Sequence, residues 1–324
     1  MNDELKFTVI SDTHYYSKKN FVDGFDKNKK PKPGQLFFSR SEEIVEHTFD
    51  CLCKNDTPDI VLISGDLTYN GERTSHDEMK AALKKLQQKG KRVYVITATH
   101  DYTTPRMPTY GIDKNDKYIE VESVKRTQLL KYYGDFGYNN AIAKHKSTMS
   151  YVAQLADGYR LFALNDDYGD PDCGFSDELM NWVKTEANNA KRDGQYIIAM
   201  THHPLVPPSP IYAAVAKGDM LNEYELRRKQ LSDLGFDFVL TGHTHMHNIS
   251  YCKIGNKKFY DISTAALTGF PPYYRQIVLN KEQKKAEIKT ICADCADSID
   301  TNGLALEEYT KDLFLGVVSK ALYD

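Results

Sequence analysis

The sequence contains no apolar run near the ~18 residues that a membrane-crossing helix needs. Its opening residues, Met1-Asn2-Asp3-Glu4-Leu5-Lys6, lack the basic-then-apolar order of a secretory leader. These absences predict a soluble, cytoplasmic protein with no membrane partner. Cysteine is scarce, with six in 324 residues, and that density excludes a disulfide framework. Cys292 and Cys295 form a single CxxC with no second pair, so we read them as reduced structural thiols and not as a zinc site. An excess of positive charge is missing too. There are 42 Lys and Arg against 45 Asp and Glu, a net charge of -3, whereas a nucleic-acid binder shows a marked basic surplus. Tryptophan occurs once, at Trp182, and no internal repeat is visible.

What is present is 41% hydrophobic residues, enough for one large α/β domain with an extension or for two modest domains. Apolar, β-branched runs predict strands at 7–10, 59–64, 92–97, 196–201 and 236–241. Amphipathic stretches predict helices at 41–54, 72–89, 122–133, 176–192 and 223–234. In the first of these, Ser41 is the expected cap, with Glu42 and Glu43 in the first turn, and His47 is read as packing or surface. Alternating strands and helices imply a largely parallel sheet covered by helices. Residues 150–155 and 159–165 read as a hairpin turning at Asp157-Gly158. The carboxylates that follow it, Asp166 and Asp167, are read as turn-capping in preference to site residues. Segments 258–262, 276–279 and 286–291 read as closing strands. From Gly303 onward, Tyr309, Leu313, Val317 and Ala321 recur every four residues beside Phe314, Val318 and Leu322, an amphipathic helix. Docking on the main domain is its expected use, and a homodimer contact is the alternative.

The strand ends share one character. The first finishes in Asp12 and His14, the second in Gly65-Asp66, the third in Ala98-Thr99-His100-Asp101. The fourth finishes in His202-His203-Pro204 and the fifth in Gly242-His243-Thr244-His245. In sheets of this kind ligands gather outside the carboxyl ends of the strands. A lone Asp or His there is ordinary. Five strands ending this way point to a mixed carboxylate and imidazole metal site, with enough donors for two ions about 3.5–4 Å apart. The polar stretch 15–40 leaves directly from the first strand end. Its lysines, Lys18, Lys19, Lys27, Lys29, Lys30 and Lys32, either meet an anionic substrate or lie on a solvated loop. Tyr15, Tyr16, Tyr102 and Tyr110 either stack on a base or pack these loops.

This set resembles the calcineurin-like metallophosphoesterase superfamily: D-x-H at Asp12 and His14, GD at Gly65 and Asp66, H-x-P at His202 to Pro204, GHxH at Gly242 to His245. The Gly-Asp-Leu-Thr block followed by Asn70-Gly71-Glu72 looks most like the bacterial cyclic-nucleotide phosphodiesterase branch. The resemblance implies a four-layer αββα sandwich, a catalytic domain over 1–280 and a strand-and-helix extension over 281–324. It implies two metal ions (Mn, Fe or Zn), one held by Asp12, His14 and His245, the other by His202 and His243, with Asp66 bridging. A hydroxide between them would attack phosphorus in line. His100 would protonate the leaving oxygen or stabilise phosphoryl charge, and Asp101 would orient its ring. One position departs from the pattern. Thr99 stands where the family has Asn, and offers the second metal only a hydroxyl. The resemblance therefore implies a metal-dependent phosphoesterase acting on a small phosphate ester, with a phosphodiesterase on nucleotide substrates expected first. A phosphomonoesterase, or a binding protein with a weakened second metal site, is the alternative.

Overall fold

A computed structural model describes residues 4–26, 34–54, 56–167, 173–294 and 299–323, without the side chains of 320–323. Lys27, Lys29, Lys30, Lys32 and Cys295, and the side chains of Ala321 and Leu322, lie outside the described residues. In chain order the elements are β1 (Glu4–Ile10), α1 (Ser41–Leu52), β2 (Ile60–Ser64), α2 (Arg73–Gln88), β3 (Arg92–Ile96), β4 (Gly111–Ile112), β5 (Tyr118–Ile119) and α3 (Leu129–Tyr133). Then come β6 (Ala143–His145), β7 (Ser150–Ala156), β8 (Tyr159–Ala163), α4 (Asp177–Arg192), β9 (Tyr196–Met200), α5 (Pro210–Val215) and α6 (Tyr224–Leu234). The chain closes with β10 (Phe238–Thr241), β11 (Asn248–Ile254), β12 (Lys257–Ser263), β13 (Tyr273–Asn280), β14 (Lys285–Cys292) and α7 (Leu306–Tyr323).

Two sheets carry the fold, one ordered β14-β13-β1-β2-β3 and the other β11-β12-β10-β9-β8-β7-β6. Strands β1, β2 and β3 run parallel, as do β12, β10, β9 and β8, with antiparallel ladders outside them. The central strands are apolar along their length because both faces are covered, and β2 is buried at every position. Phe7, Val9 and Leu62 of one sheet meet Leu161, Met200 and Leu240 of the other in one core layer. The opposite face of the first sheet packs Ile44, Leu83 and Tyr309. That of the second packs Val183 and Leu231. Helix, sheet, sheet and helix therefore stack in four layers.

Several expectations change. Only residues 129–133 of the segment 122–133 are α-helical, preceded by a 3-10 turn at Arg126–Gln128. Residues 122–124 instead pair with 71–73, through Arg73 N–H to Glu122 O (2.8 Å) and Val124 N–H to Gly71 O (2.9 Å). Ser41 is the first helical residue and not the cap. Its hydroxyl accepts from Tyr16 N–H and donates to Phe38 O, both at 2.8 Å. Tyr15 and Tyr16 are fully buried, so neither offers a face to a base. Lys18 is paired with Glu43 at 2.8 Å and Lys19 with Glu78 at 2.9 Å. These two lysines are tied to acids of α1 and α2. Strand β11 was not expected, because its residues alternate between half-buried and exposed and are not continuously apolar. Leu306 and Tyr309 dock α7 on the core, with Tyr309 beside Phe37, while Val317 and Val318 are exposed. Among the described residues, no helix is long and apolar enough to cross a membrane.

Candidate metal centre

The carboxyl ends of β1, β2, β3, β9 and β10 open at one end of the sandwich, where the two sheets are stitched together. Asp12 N–H donates to Gly65 O (3.2 Å), and Gly242 N–H donates to His202 O (3.0 Å). Across the sheets, His243 N–H reaches Asp12 Oδ2 (3.0 Å), and His202 Nδ1 donates to Ser64 O (2.8 Å). The chain turns sharply as it leaves each strand. Asp12, His14, Asp66, His243 and His245 all have positive φ, between 38° and 65°. Non-glycine residues seldom adopt this conformation, and it persists where surrounding contacts over-determine it, as at functional sites. Gly65, at φ +101°, has no room for a side chain. A Cβ there would lie 2.6 Å from His202 Nδ1 and 2.8 Å from Ala98 Cβ.

These turns bring the strand-end donors into contiguous groups. Asp12, His14 and His245 form one, and Asp66, His202 and His243 another. Asp66 also groups with His14 and His100. The His14 and His245 Nε2 atoms are 3.1 Å apart, and Asp12 Oδ1 lies 3.7 and 3.3 Å from them. His202 Nε2 is 3.0 Å from Asp66 Oδ2, yet it is buried without a hydrogen bond. Burial opposes a charge on the His202 ring, but Asp66 and Asp12 outweigh it and hold the ring well above the usual imidazole range, so with Nδ1–H on Ser64 O a second proton on Nε2 faces the Asp66 carboxylate. Buried carboxylates and imidazoles gathered this closely call for a cation among them, a proton on His202 or a metal ion in its place, so the donor set fits metal ions. Mixed imidazole and carboxylate ligands accept Mn, Fe or Zn. Burial presses the His14 ring down to about 4, so it is neutral and a competent ligand. Burial pushes Asp66 upward, but His202 and His100 outweigh it and hold the carboxyl below its usual range. The outer Nδ1 atoms of His14 and His245 are buried without partners.

His100 sits beside this cluster, its ring edge-on to His14 at 4.7 Å. Its backbone N–H donates to Asp66 Oδ1 (3.0 Å). Its Nδ1 faces Tyr69 O (2.6 Å) and Asn70 Oδ1 (2.9 Å). Two acceptors there require a proton on Nδ1 and leave Nε2 for the site. Asp101 does not orient this ring, contrary to expectation. Its carboxylate accepts from Ala98 N–H and Thr68 N–H, both at 2.9 Å, and so ties the loop after β3 to the loop after β2. Burial, and then Asp66, raise it to about 8. Thr99 is half-buried and opens the 3-10 turn that carries His100.

His203 lies outside both groups. Its Nδ1 is 3.3 Å from Asp166 Oδ2, and its ring packs on that of His243 with centroids 3.9 Å apart. Asp166 is not the cap of a local turn. Its Oδ2 accepts from Thr201 Oγ1 (2.9 Å), His202 N–H (3.2 Å) and His203 N–H (2.6 Å), fixing the histidine-bearing loop from behind. Asp167 accepts from Tyr102 O–H (2.6 Å). Asp261, which sequence reasoning passed over, accepts from Leu205 and Val206 N–H at 2.7 and 3.0 Å. An acid interrupting the apolar run of β12 was the available signal. Asn70 had none beyond its place after Gly-Asp-Leu-Thr.

Residues 5–247 match the family described as calcineurin-like phosphoesterase. Among solved structures, a dimetal phosphatase from Danio rerio is similar, with TM-score 0.57 and 13% identity over 89% of this chain and 99% of that one. A purple acid phosphatase from yellow lupin (Lupinus luteus) seeds matches with TM-score 0.59 and 12% identity over 90% of this chain. This chain spans 52% of the lupin protein. At such identities these likenesses speak to the fold alone. No curated protein matches the sequence significantly. The family match extends from the second residue of β1 to just past His245, across every strand end described above, and the chain belongs to the calcineurin-like phosphoesterase family.

Proposed function

We propose that this protein is a metal-dependent phosphodiesterase acting on small or nucleotide phosphate esters. The observation that carries the reading is the convergence of Asp12, His14 and His245 beside Asp66, His202 and His243. The first three would hold one metal, His202 and His243 the second, with Asp66 shared and Thr99 an added weak neutral ligand. Two such ions, when bound, lower the pKa of water and neutralise phosphoryl oxygens. His100 is the proton donor to the leaving oxygen through Nε2, with Nδ1–H anchored on Tyr69 O and Asn70 Oδ1. Asp101 and Asp166 hold the loops that carry His100 and His202.

Two observations favour diesters. Monoesters carry more charge and call for more cations, and among the described residues of 15–40 the lysines, Lys18 and Lys19, are engaged by Glu43 and Glu78. The resemblance of Gly65 to Thr68 and Asn70 to Glu72 to the cyclic-nucleotide branch points the same way. A binding protein with one firm metal is the second reading, and Thr99 motivates it. The test is hydrolysis of bis(p-nitrophenyl) phosphate and p-nitrophenyl phosphate with added manganese, alongside Asp66→Asn. Diester turnover that disappears in Asp66→Asn is the expected result. A monoester preference moves the assignment to a phosphatase, and a folded protein inert on both brings the binding reading forward.

A further inference from the structure

Beside the metal centre lies a run of aromatic rings that the chemistry above does not use. Tyr69 leads it. Its carbonyl holds His100 Nδ1, and its ring stands 6.3 Å from that of His14. Phe38 lies at 4.9 Å from Tyr69 with planes 30° apart, and Tyr110 meets Tyr69 edge-on at 6.2 Å. Tyr118 packs on Tyr110 at 4.2 Å with planes 36° apart. The run is built from behind. Buried Tyr16 supports both Phe38 and Tyr69, at 5.4 and 5.6 Å, and its hydroxyl donates to Tyr110 O (3.1 Å). The short β4–β5 ladder that carries Tyr118 is tied down through Val22 N–H to Ile112 O (3.0 Å). Phe38, Tyr69 and Tyr110 are half-buried, and Tyr118 is 71% exposed. A tyrosine so exposed, stacked on a second ring and continuous with a metal centre, is a π surface waiting for a partner.

We propose that Phe38, Tyr69, Tyr110 and Tyr118 form a subsite for a planar aromatic group esterified to the phosphate. The inference rests on the phosphoester reading. The phosphoryl group sits at the Asp and His cluster, and the planar substituent extends past Tyr69 to lie against Tyr110 and Tyr118. Recognition is by stacking, so it selects for any flat ring and against a saturated group of similar size. Tyr118 contributes through its exposed face and leaves the metal ligands untouched.

The test is calorimetric titration of manganese-loaded protein with 2-phenylethylphosphonate and with 2-cyclohexylethylphosphonate, whose saturated ring matches the phenyl ring in carbon count but is not flat. The two share a head group and a C–P bond that phosphoester hydrolysis does not break. The wild-type protein is expected to bind the phenylethyl compound about tenfold more tightly. In Tyr118→Ala and in Tyr110→Leu that ratio falls toward one, with 2-phenylethylphosphonate losing more affinity than 2-cyclohexylethylphosphonate. Equal affinity of the wild-type protein for both compounds, including no binding of either, overturns the inference. So does a ratio that survives both substitutions. The titration needs no turnover, so failure to hydrolyse nitrophenyl esters bears on the phosphodiesterase reading alone.

Discussion

Thr99 opens the turn that carries His100, and under the proposed reading it stands where a neutral oxygen would reach the second metal. A threonine hydroxyl is shorter than an asparagine carbonyl and a poorer neutral donor. Thr99→Asn is therefore expected to tighten the second manganese and raise turnover about tenfold or more, the scale on which ligand-sphere changes act. Metal titration followed by diester kinetics checks this, and unchanged affinity and rate would refute it. Glu72 poses a different residue-scale question. It is buried, accepts from Asn70 N–H (3.2 Å), and has Oε1 without a partner. Burial raises its carboxyl to about 7 from the usual 4.5. A raised acid contributes stability that is complete below the unfolded pKa and is lost as pH climbs through the folded one. The loss between pH 4.5 and 7 amounts to at most about 3–4 kcal/mol. Glu72→Gln keeps an acceptor for Asn70 N–H and cannot ionise, so its melting temperature should exceed that of wild type at pH 8 and converge with it near pH 4.5. Thermal melts across that range decide the matter.

At the scale of elements, the site depends on how each strand stops. The turn after β2 needs Gly65, whose φ of +101° and missing Cβ let the backbone pass His202 and Ala98. Gly65→Ala adds strain at positive φ and a collision with the His202 ring. We expect it to cost about 1–3 kcal/mol and to weaken the second metal more than the first, read by denaturant melts and by metal titration. The apolar runs of β1, β2, β3, β9 and β10, and the stripe of α2, were plain in the sequence because local periodicity dictates them. The segment 122–133 was not. Its helix-like pattern is overridden where 122–124 pair with 71–73, a contact between positions some fifty residues apart. Asp166 was misread for the same reason. A carboxylate after a hairpin strand looks like a turn cap until the loop after β9 arrives to use it.

At the scale of the whole molecule, the donors come from both sheets: Asp12, His14 and Asp66 from one, His202, His243 and His245 from the other. Metal ions held between them would join the two halves of the sandwich, and their binding energy would become folding energy. Removing metal with a chelator should lower the melting temperature, and excess manganese should restore it. At a free concentration a hundred times the dissociation constant, one site contributes about 2.7 kcal/mol. A melting temperature indifferent to chelation would mean that the ions do not bridge the sheets.

The sequence by itself determined the strand runs and the identity of the Asp and His residues that follow them. Both are local properties, set by side-chain periodicity and by the residues at which each run stops. Only the tertiary structure decided which of those residues meet, that Tyr15 and Tyr16 are buried, and that Lys18 and Lys19 are taken by Glu43 and Glu78. It also decided that Tyr69 and Asn70, not Asp101, hold the His100 ring. Each of these depends on groups distant in the chain. Burial and hydrogen bonding between such groups follow from how the two sheets close on one another, which no local pattern encodes.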